Sequence, residues 1–410
     1  VKIDISKEIL NMLACILLNL RKGFTFMLQK TIEILEKLVS IQSVSGTPTK
    51  EVVDYIKDYL ESYGVKVTLS FDEKKERANV FAAFGPIVGG GVLLNGHTDV
   101  VPVEGQKWSS NPFKLTKKEE KLLGRGSVDM KGFLACVLAC VPYFQSSKLL
   151  KPIYLAFTFD EETGGFGIPY LLKKMKYDGI NPEIVIVGEP TDMNIVTSHK
   201  GGDEMRTEII GHEVHSCDPT KGVSAINIAT KIITKIEEIG IRLASNPYKG
   251  SSFDPPYATF NVGTIHGGTA RNSTSGWCNF DWEYRAMPGE NSREIISEIE
   301  DYAEKVLLPQ FKTADKTAEI NIITEISVPP FDDRLSEKAA SFVSKVTGKN
   351  GREVVSFGTD AGYFSDFGYS TVVCGPGSIS RAHAPDEYIT LNELNEGLAF
   401  LKKVVAELSY

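Results

Sequence analysis

The sequence predicts an α/β protein: a helix-flanked, mainly parallel sheet with a ferredoxin-like α+β domain inserted into it. Short apolar strands alternate with amphipathic helices through residues 28–190, and the same rhythm resumes after residue 330. A β-α-β-β-α-β run lies between them. Alternation of the first kind requires crossover helices and so favours a parallel sheet. The second order is a split unit suited to insertion. At 410 residues the chain exceeds what one core serves. The expected division is 27–197 and 330–410 for the main domain, with 198–329 inserted.

Helix Leu28–Leu38 shows apolar spacing at Ile32, Leu35, Leu38 and Val39, directly after Met27. Ahead of it, the apolar run Ile9–Leu20 is too short to span a bilayer and lacks the order of a cleaved signal. Residues 1–26 are therefore expected to be a non-native or disordered extension from an upstream start assignment. A second helix covers Thr49–Tyr63, and Val65–Phe71 and Ala78–Phe84 are strands. Gly91–Asp99 is a short buried strand that stops abruptly at His97-Thr98-Asp99. Leu123–Gly132 opens an apolar helix, Phe133–Phe144. Strands Ile153–Phe159 and Ile184–Val187 run into Asp160-Glu161-Glu162 and Gly188-Glu189-Pro190.

The inserted run consists of strand Met205–Ile210, helix Ser224–Ile239, strands Ala258–Ile265 and Trp277–Arg285, helix Ser292–Leu307 and strand Ala318–Ile326. Helix Leu335–Val346, strand Val372–Cys374 and helix Leu391–Leu408 complete the chain. Hydrophobic content of 42% and charged content of 24% are those of a soluble globular protein. A net charge of −8 argues against nucleic acid or an anionic membrane as partner. The six cysteines form no Cys-x-x-Cys pair, so a reducing cytoplasm is the expected compartment.

Residues two apart in an extended chain share a side, so Asp99 is placed to hold the second ring nitrogen of His97, as carboxylates do for metal-ligating histidines. In parallel sheets ligands bind beyond the carboxyl ends of the strands. His97, Glu161, Glu162 and Glu189 all follow strand ends, and Asp129 and His383 sit in polar loops. Carboxylates converging with two histidines repel one another unless cations hold them. Mixed imidazole and carboxylate ligation suits zinc, with cobalt or manganese as substitutes. A two-metal centre needs a bridging carboxylate and about two terminal ligands per metal, and the count leaves one glutamate over as general base. Taken singly, Asp129 also reads as a helix N-cap and Asp160–Glu162 as a solvated turn. His199, His212 and His266 read as surface residues. Neither a Gly-x-Ser-x-Gly elbow nor a placed Cys–His pair supports a serine or cysteine hydrolase.

In combination, Gly96-His97-Thr98-Asp99, Gly126-Ser127-Val128-Asp129-Met130-Lys131-Gly132, Asp160-Glu161-Glu162 and Gly188-Glu189-Pro190-Thr191 are specific. From residue 28 onward the chain resembles the dinuclear zinc metallopeptidase and deacylase family that includes acetylornithine deacetylase, succinyl-diaminopimelate desuccinylase, aminoacylases and carboxypeptidase G-type enzymes. The resemblance implies that His97 and Glu189 hold one zinc, that Glu162 and His383 hold the other, and that Asp129 bridges. It makes Glu161 the base and Asp99 the partner of His97, and it implies a cis peptide after Asp129. Within the family the acetylornithine deacetylase branch is most similar, through Gly211–Pro219, Gly222–Ile226, His266–Asn272 and Gly375–Tyr388.

That branch implies hydrolysis of N2-acetyl-L-ornithine to L-ornithine and acetate, a step of arginine biosynthesis. It also implies that the inserted segment is a lid and dimerisation domain. His215 and Asn272 would then reach the neighbouring subunit's site of a homodimer, both to stabilise the oxyanion, while Arg285 and Thr359 bind the substrate's α-carboxylate. Two departures bear on substrate choice. Ser273-Thr274 follows Arg271-Asn272 in place of the apolar-proline sequence of the desuccinylase branch, and Asp360 stands where the deacetylase branch carries glutamate. Succinyl-diaminopimelate desuccinylase, N-acetylcitrulline deacetylase and dipeptidase activities are the alternatives, with a metal-free binding protein on the same fold as a different class.

Overall fold

The computed structural model describes residues 25–313 and 315–409. The expectation for residues 1–24 lies outside these, and residues 25 and 26 already belong to the first helix. The chain divides into two compact units: one runs to Ile195 and includes Ser336–Arg352 and Tyr369 onward, the other comprises Val196–Leu335 and Glu353–Gly368.

The first unit opens with α1 (residues 25–40), α2 (Lys50–Ser62), β1 (Val67–Phe71), β2 (Ala78–Phe84) and β3 (Val92–His97). A hairpin of β4 (Thr116–Lys118) and β5 (Lys121–Leu123) leads into α3 (Lys131–Ala139), α4 (Val141–Ser146), β6 (Ile153–Thr158), α5 (Ile168–Asp178) and β7 (Ile184–Pro190). The second unit follows with β8 (Val196–His199), β9 (Gly202–Ile210), α6 (Ala225–Ala244), β10 (Thr259–Gly267), β11 (Trp277–Arg285), α7 (Ser292–Asp301), α8 (Leu308–Lys312) and β12 (Glu319–Val328). Helix α9 (Glu337–Thr347) returns to the first unit. Next, β13 (Glu353–Val355) and α10 (Ala361–Asp366) belong to the second, and β14 (Thr371–Gly375), β15 (Tyr388–Thr390) and α11 (Leu391–Leu408) to the first.

In the first unit the main sheet runs β1-β2-β6-β3-β7-β14. The pairs β6–β3, β3–β7 and β7–β14 are parallel, and β1–β2 and β2–β6 antiparallel. Every residue of β3, β6 and β7 is buried, the condition of strands covered on both faces. Register sets up the site. His97 lies opposite Thr158 and Asn95 opposite Val187, so the three carboxyl ends are level and the loops leaving them emerge side by side.

The second unit has the expected β-α-β-β-α-β order, and its sheet, β10-β11-β9-β12, is antiparallel throughout. Burial alternates along β11, with Phe280, Trp282 and Tyr284 facing a core shared with Ile228, Ile232 and Ile236 of α6. Residues 353–368, which the sequence reading placed in the C-terminal part of the main domain, group with this unit. Val354 packs on its core, and the Tyr363 hydroxyl donates to the Ser327 carbonyl at 2.7 Å.

Two expected helices are interrupted. Phe133–Phe144 breaks at Cys140 into α3 and α4, because Pro142 has no N–H to return to the Leu138 carbonyl. Ser292–Leu307 ends as α-helix at Asp301 and widens into a π-helical turn, Tyr302–Leu307, just ahead of Pro309. The three-stranded sheet β15-β5-β4, with three-residue strands, carried no readable periodicity. Among the described residues no helix is long and apolar enough to cross a membrane.

The helix behind the site packs on the sheet through a glycine. A Cβ at Gly188 would lie 2.2 Å from Phe133 Cδ1. Overpacking of this kind costs about 1–3 kcal/mol. Gly188→Ala is therefore expected to lower the urea midpoint of unfolding without changing the slope, which equilibrium denaturation measures.

Candidate active site

Each charged group of the site sits where a regular element stops. His97 is the last residue of β3, Glu189 the penultimate residue of β7, and Glu161 and Glu162 form the 3-10 turn after β6. That turn begins from Asp160 in the left-handed region, φ 56°. The Asp160 carboxylate accepts the Gly46 N–H at 2.8 Å and pairs with Arg77, which holds the corner. Asp129 precedes α3 across a cis Asp129–Met130 peptide, as the family resemblance implies. Met130 is the N-cap of α3 and no side chain caps it, so the N-cap reading of Asp129 is set aside.

The structure brings His97, Asp129, Glu161, Glu162, Glu189 and His383 together. Asp129 stands between the two imidazoles. Its Oδ1 is 3.1 Å from His97 Nε2, and its Oδ2 is 3.3 Å from His383 Nε2. Glu189 Oε1 lies 3.5 Å from His97 Nε2, and Glu162 Oε2 lies 2.8 Å from His383 Nε2. One carboxylate thus faces two half-sites, each with one histidine and one glutamate. Glu161 lies within ligand-sharing distance of His97 and Glu189.

Asp99 does something different from the sequence expectation. The nearest acceptor to His97 Nδ1 is the Asp99 backbone carbonyl at 3.0 Å, with the carboxylate at 3.6 Å. Nδ1 therefore carries a proton and donates it to that carbonyl, and Nε2 is turned to the site. The Asp99 carboxylate accepts the backbone N–H groups of Glu161 and Glu162, each at 3.2 Å, and the Ser45 hydroxyl at 2.6 Å. It aligns the glutamate turn with the end of β3. The reading of Asp160–Glu162 as a solvated turn fails for this reason.

Electrostatics follow from crowding. Burial raises the Glu189 carboxyl to about 8, with Asp129 and Glu162 adding to the effect against the pull of His97. Burial and the Asp129 charge raise Glu162 to about 7. Hydrogen bonds to Asp129 and Glu162 raise His383 to about 10. Burial by itself lowers the basicity of His97, but Glu189, Asp129 and Asp99 outweigh it and raise the imidazole well above its usual value. Asp129 is buried too, yet the two histidines hold it below the usual carboxylate range. Among the described residues the buried Glu189 Oε1 has no hydrogen-bond partner, its ion-pair contact being His97 Nε2 at 3.5 Å. An orphaned carboxylate oxygen beside imidazole nitrogens fits a cation site, and the oxygen and nitrogen donor set fits a divalent metal.

The sequence profile of the family described as peptidase family M20/M25/M40 matches residues 93–407. The chain belongs to that family. As an M20 protein it is a metal-dependent amidohydrolase. It is 32% identical over 367 residues to the acetylornithine deacetylase of Proteus mirabilis, covering 88% of this chain and 92% of that one. Identity to the acetylornithine deacetylase of Buchnera aphidicola is 30% over 389 residues, covering 92% and 98%. An M20 family metallo-carboxypeptidase from Sulfolobus solfataricus shares the fold with a TM-score of 0.72 at 19% identity, covering 93% of this chain and 99% of that one.

The remaining expected site residues of this M20 chain, His215, Asn272, Arg285 and Thr359, belong to the second unit. His215 and Asn272 are exposed on adjacent loops, joined where Ser216 N–H donates to the Asn272 carbonyl at 2.9 Å. His215 Nδ1 accepts the Cys217 N–H at 3.1 Å. Arg285 already grips a carboxylate: its Nε and Nη2 lie 3.0 and 2.6 Å from Glu283 Oε2. Thr359 is buried, and its N–H donates to His199 Nε2 at 3.2 Å. His212 and His266 are exposed, but His199 is not the surface residue expected. It is fully buried, with Nδ1 donating to the Lys200 carbonyl at 2.9 Å. Burial lowers it to about 4, so it stays neutral. A histidine ending a short strand, as His97 does, was the signal available for it.

Cation binding must displace protons held by Glu162, Glu189 and the histidines. Because Glu162 titrates near 7 and Glu189 near 8, apparent metal affinity should rise steadily between about pH 6 and 9. Calorimetric titration of metal-free protein in buffers of different ionisation enthalpy should show at least about one proton released per cation at pH 7.

Proposed function

We propose that this M20 enzyme hydrolyses the acetyl amide of N2-acetyl-L-ornithine, releasing L-ornithine and acetate in arginine biosynthesis. The observation that carries the reading is the pair of half-sites facing one Asp129, in a chain about 30% identical over most of its length to two acetylornithine deacetylases. In this reading residues 27–197 and 330–410 form the catalytic domain and 198–329 the lid, except that residues 353–368 go with the lid's unit. The enzyme acts in the cytoplasm as a homodimer joined through the lid.

His97 and Glu189 would hold one zinc ion, His383 and Glu162 the other, and Asp129 both. Two such ions would supply Lewis acidity for the scissile carbonyl and acidify a water at neutral pH. Glu161 takes a proton from the attacking water and returns it to the departing amine nitrogen. Asp99 keeps Glu161 and Glu162 at the mouth of the site through their backbone N–H groups. His215 accepts a bond at Nδ1, so its proton resides on Nε2, the donor an oxyanion requires. Asn272 contributes a second donor. Arg285 and Thr359 receive the α-carboxylate, which takes over the two-point grip that Glu283 now occupies.

Turnover of acetylornithine measured against succinyl-diaminopimelate and a dipeptide tests the substrate. Preference for either competitor by tenfold or more in kcat/KM would overturn it. Glu161→Gln is expected to keep its metal while kcat falls by about 10²–10⁴. His383→Ala is expected to lose one metal equivalent by elemental analysis. An unchanged rate in the first variant removes Glu161 from the role.

A further inference from the structure

Four residues beyond His383, Glu387 is almost wholly buried, as is Arg125, and the two are paired at 2.7 Å through Arg125 Nη1 and Glu387 Oε2. The carboxylate takes three further bonds, all from backbone. Oε2 accepts the Gly126 N–H at 3.0 Å, and Oε1 accepts those of Val128 at 2.9 Å and Asp129 at 3.1 Å. Residues 125–129 therefore wrap a carboxylate much as an anion-binding loop wraps a phosphate. Gly126, at φ 80°, supplies the left-handed turn that lets the N–H groups converge.

The same contacts reach the His383 loop from its other end. Gln106 Nε2 donates to the His383 carbonyl at 2.8 Å, and Arg125 Nη2 donates to Gln106 Oε1 at 2.6 Å. Trp108 Nε1 donates to that Oε1 at 3.1 Å and lies under the Arg125 guanidinium, 5.1 Å from ring centroid to Cζ. Asp386 Oδ1 accepts the Ser109 N–H at 2.8 Å. A closed circuit thus joins the backbone of Asp129 to that of His383, the two residues whose side chains meet at 3.3 Å.

We infer that Glu387, with Arg125 and Gln106, is a positioning residue that sets the distance between the bridging Asp129 and His383, and so the affinity and geometry of one of the two metal half-sites. This rests on the proposed metal reading. The chemistry demands a carboxylate: each hydrogen-bond partner of the Glu387 side chain named above is a donor, and an ionised carboxylate only accepts. An amide of the same shape would turn an NH₂ towards donors and strand buried N–H groups. Outer partners of metal ligands typically change affinity by about 10–100-fold.

Metal-free wild type, Glu387→Gln and Gln106→Ala are titrated with Co²⁺, following the visible absorption bands and binding stoichiometry, and thermal melts of the metal-free proteins are recorded beside them. In Glu387→Gln one of two Co²⁺ ions is expected to bind at least about tenfold more weakly, with its band shifted, while the other binds as in wild type. Gln106→Ala removes no buried charge, so it should keep the wild-type melt and show a smaller weakening of the same ion. Affinities and spectra within twofold of wild type in both variants overturn the inference. If Glu387→Gln does not fold, Gln106→Ala decides it by the same criterion. Wild type that takes up no Co²⁺ overturns the metal reading itself, and this inference with it.

Discussion

Three buried carboxylates around two imidazoles are the constraint on which the first unit depends. Asp129, Glu162 and Glu189 cannot all remain ionised side by side in a protein interior without positive charge between them. Protons meet that need in part, which is why Glu162 and Glu189 titrate near 7 and 8 and His383 near 10. Divalent cations meet it better, and the Glu189 oxygen that takes no hydrogen bond among the described residues marks where the protons fall short. A cluster this unfavourable persists only when the backbone beneath it is held from several sides.

The means of holding it are mostly carboxylates that never reach the centre. Asp99 draws in the N–H groups of Glu161 and Glu162, Asp160 anchors Gly46, and Glu387 gathers three N–H groups of the Asp129 loop. Each is buried and each accepts backbone hydrogen bonds, so each converts a flexible loop into a fixed mount. The parallel sheet provides the common floor. Because β6, β3 and β7 are in register, loops distant in sequence leave from one edge. The second unit presents a different chemistry: an exposed imidazole with its Nε2 proton available, an exposed amide, and a guanidinium engaged with its own neighbour Glu283.

Much of this was legible in the residues. Strand and helix order determined the sheet and the β-α-β-β-α-β unit, since periods of two and 3.6 record which faces are covered. Strand Ala78–Phe84, strand Trp277–Arg285 and helix Leu391–Leu408 agree with the structure to the residue. Polar residues at the ends of apolar strands marked the cluster of carboxylates and imidazoles. The breaks at Cys140 and Asp301 escaped because apolar periodicity continues across Pro142 and up to Pro309, and the three-residue strands β4, β5 and β15 are too short to show any period.

For His97, Glu161, Glu162 and Glu189 the sequence alone indicated where the side chains gather, because residues at the ends of buried parallel strands lie at that sheet's carboxyl edge. Asp129 and His383, in loops, joined them only through the family resemblance. Only the tertiary structure decided how they are held. That the Asp99 carboxylate is taken up by the Glu161 and Glu162 N–H groups, that His199 is buried and bound to the Thr359 N–H, and that Glu387 clamps a loop some 260 positions away all depend on long-range contacts. A hydrogen bond between distant segments leaves no periodic trace in either of them, so such partners become visible only once the chain is folded.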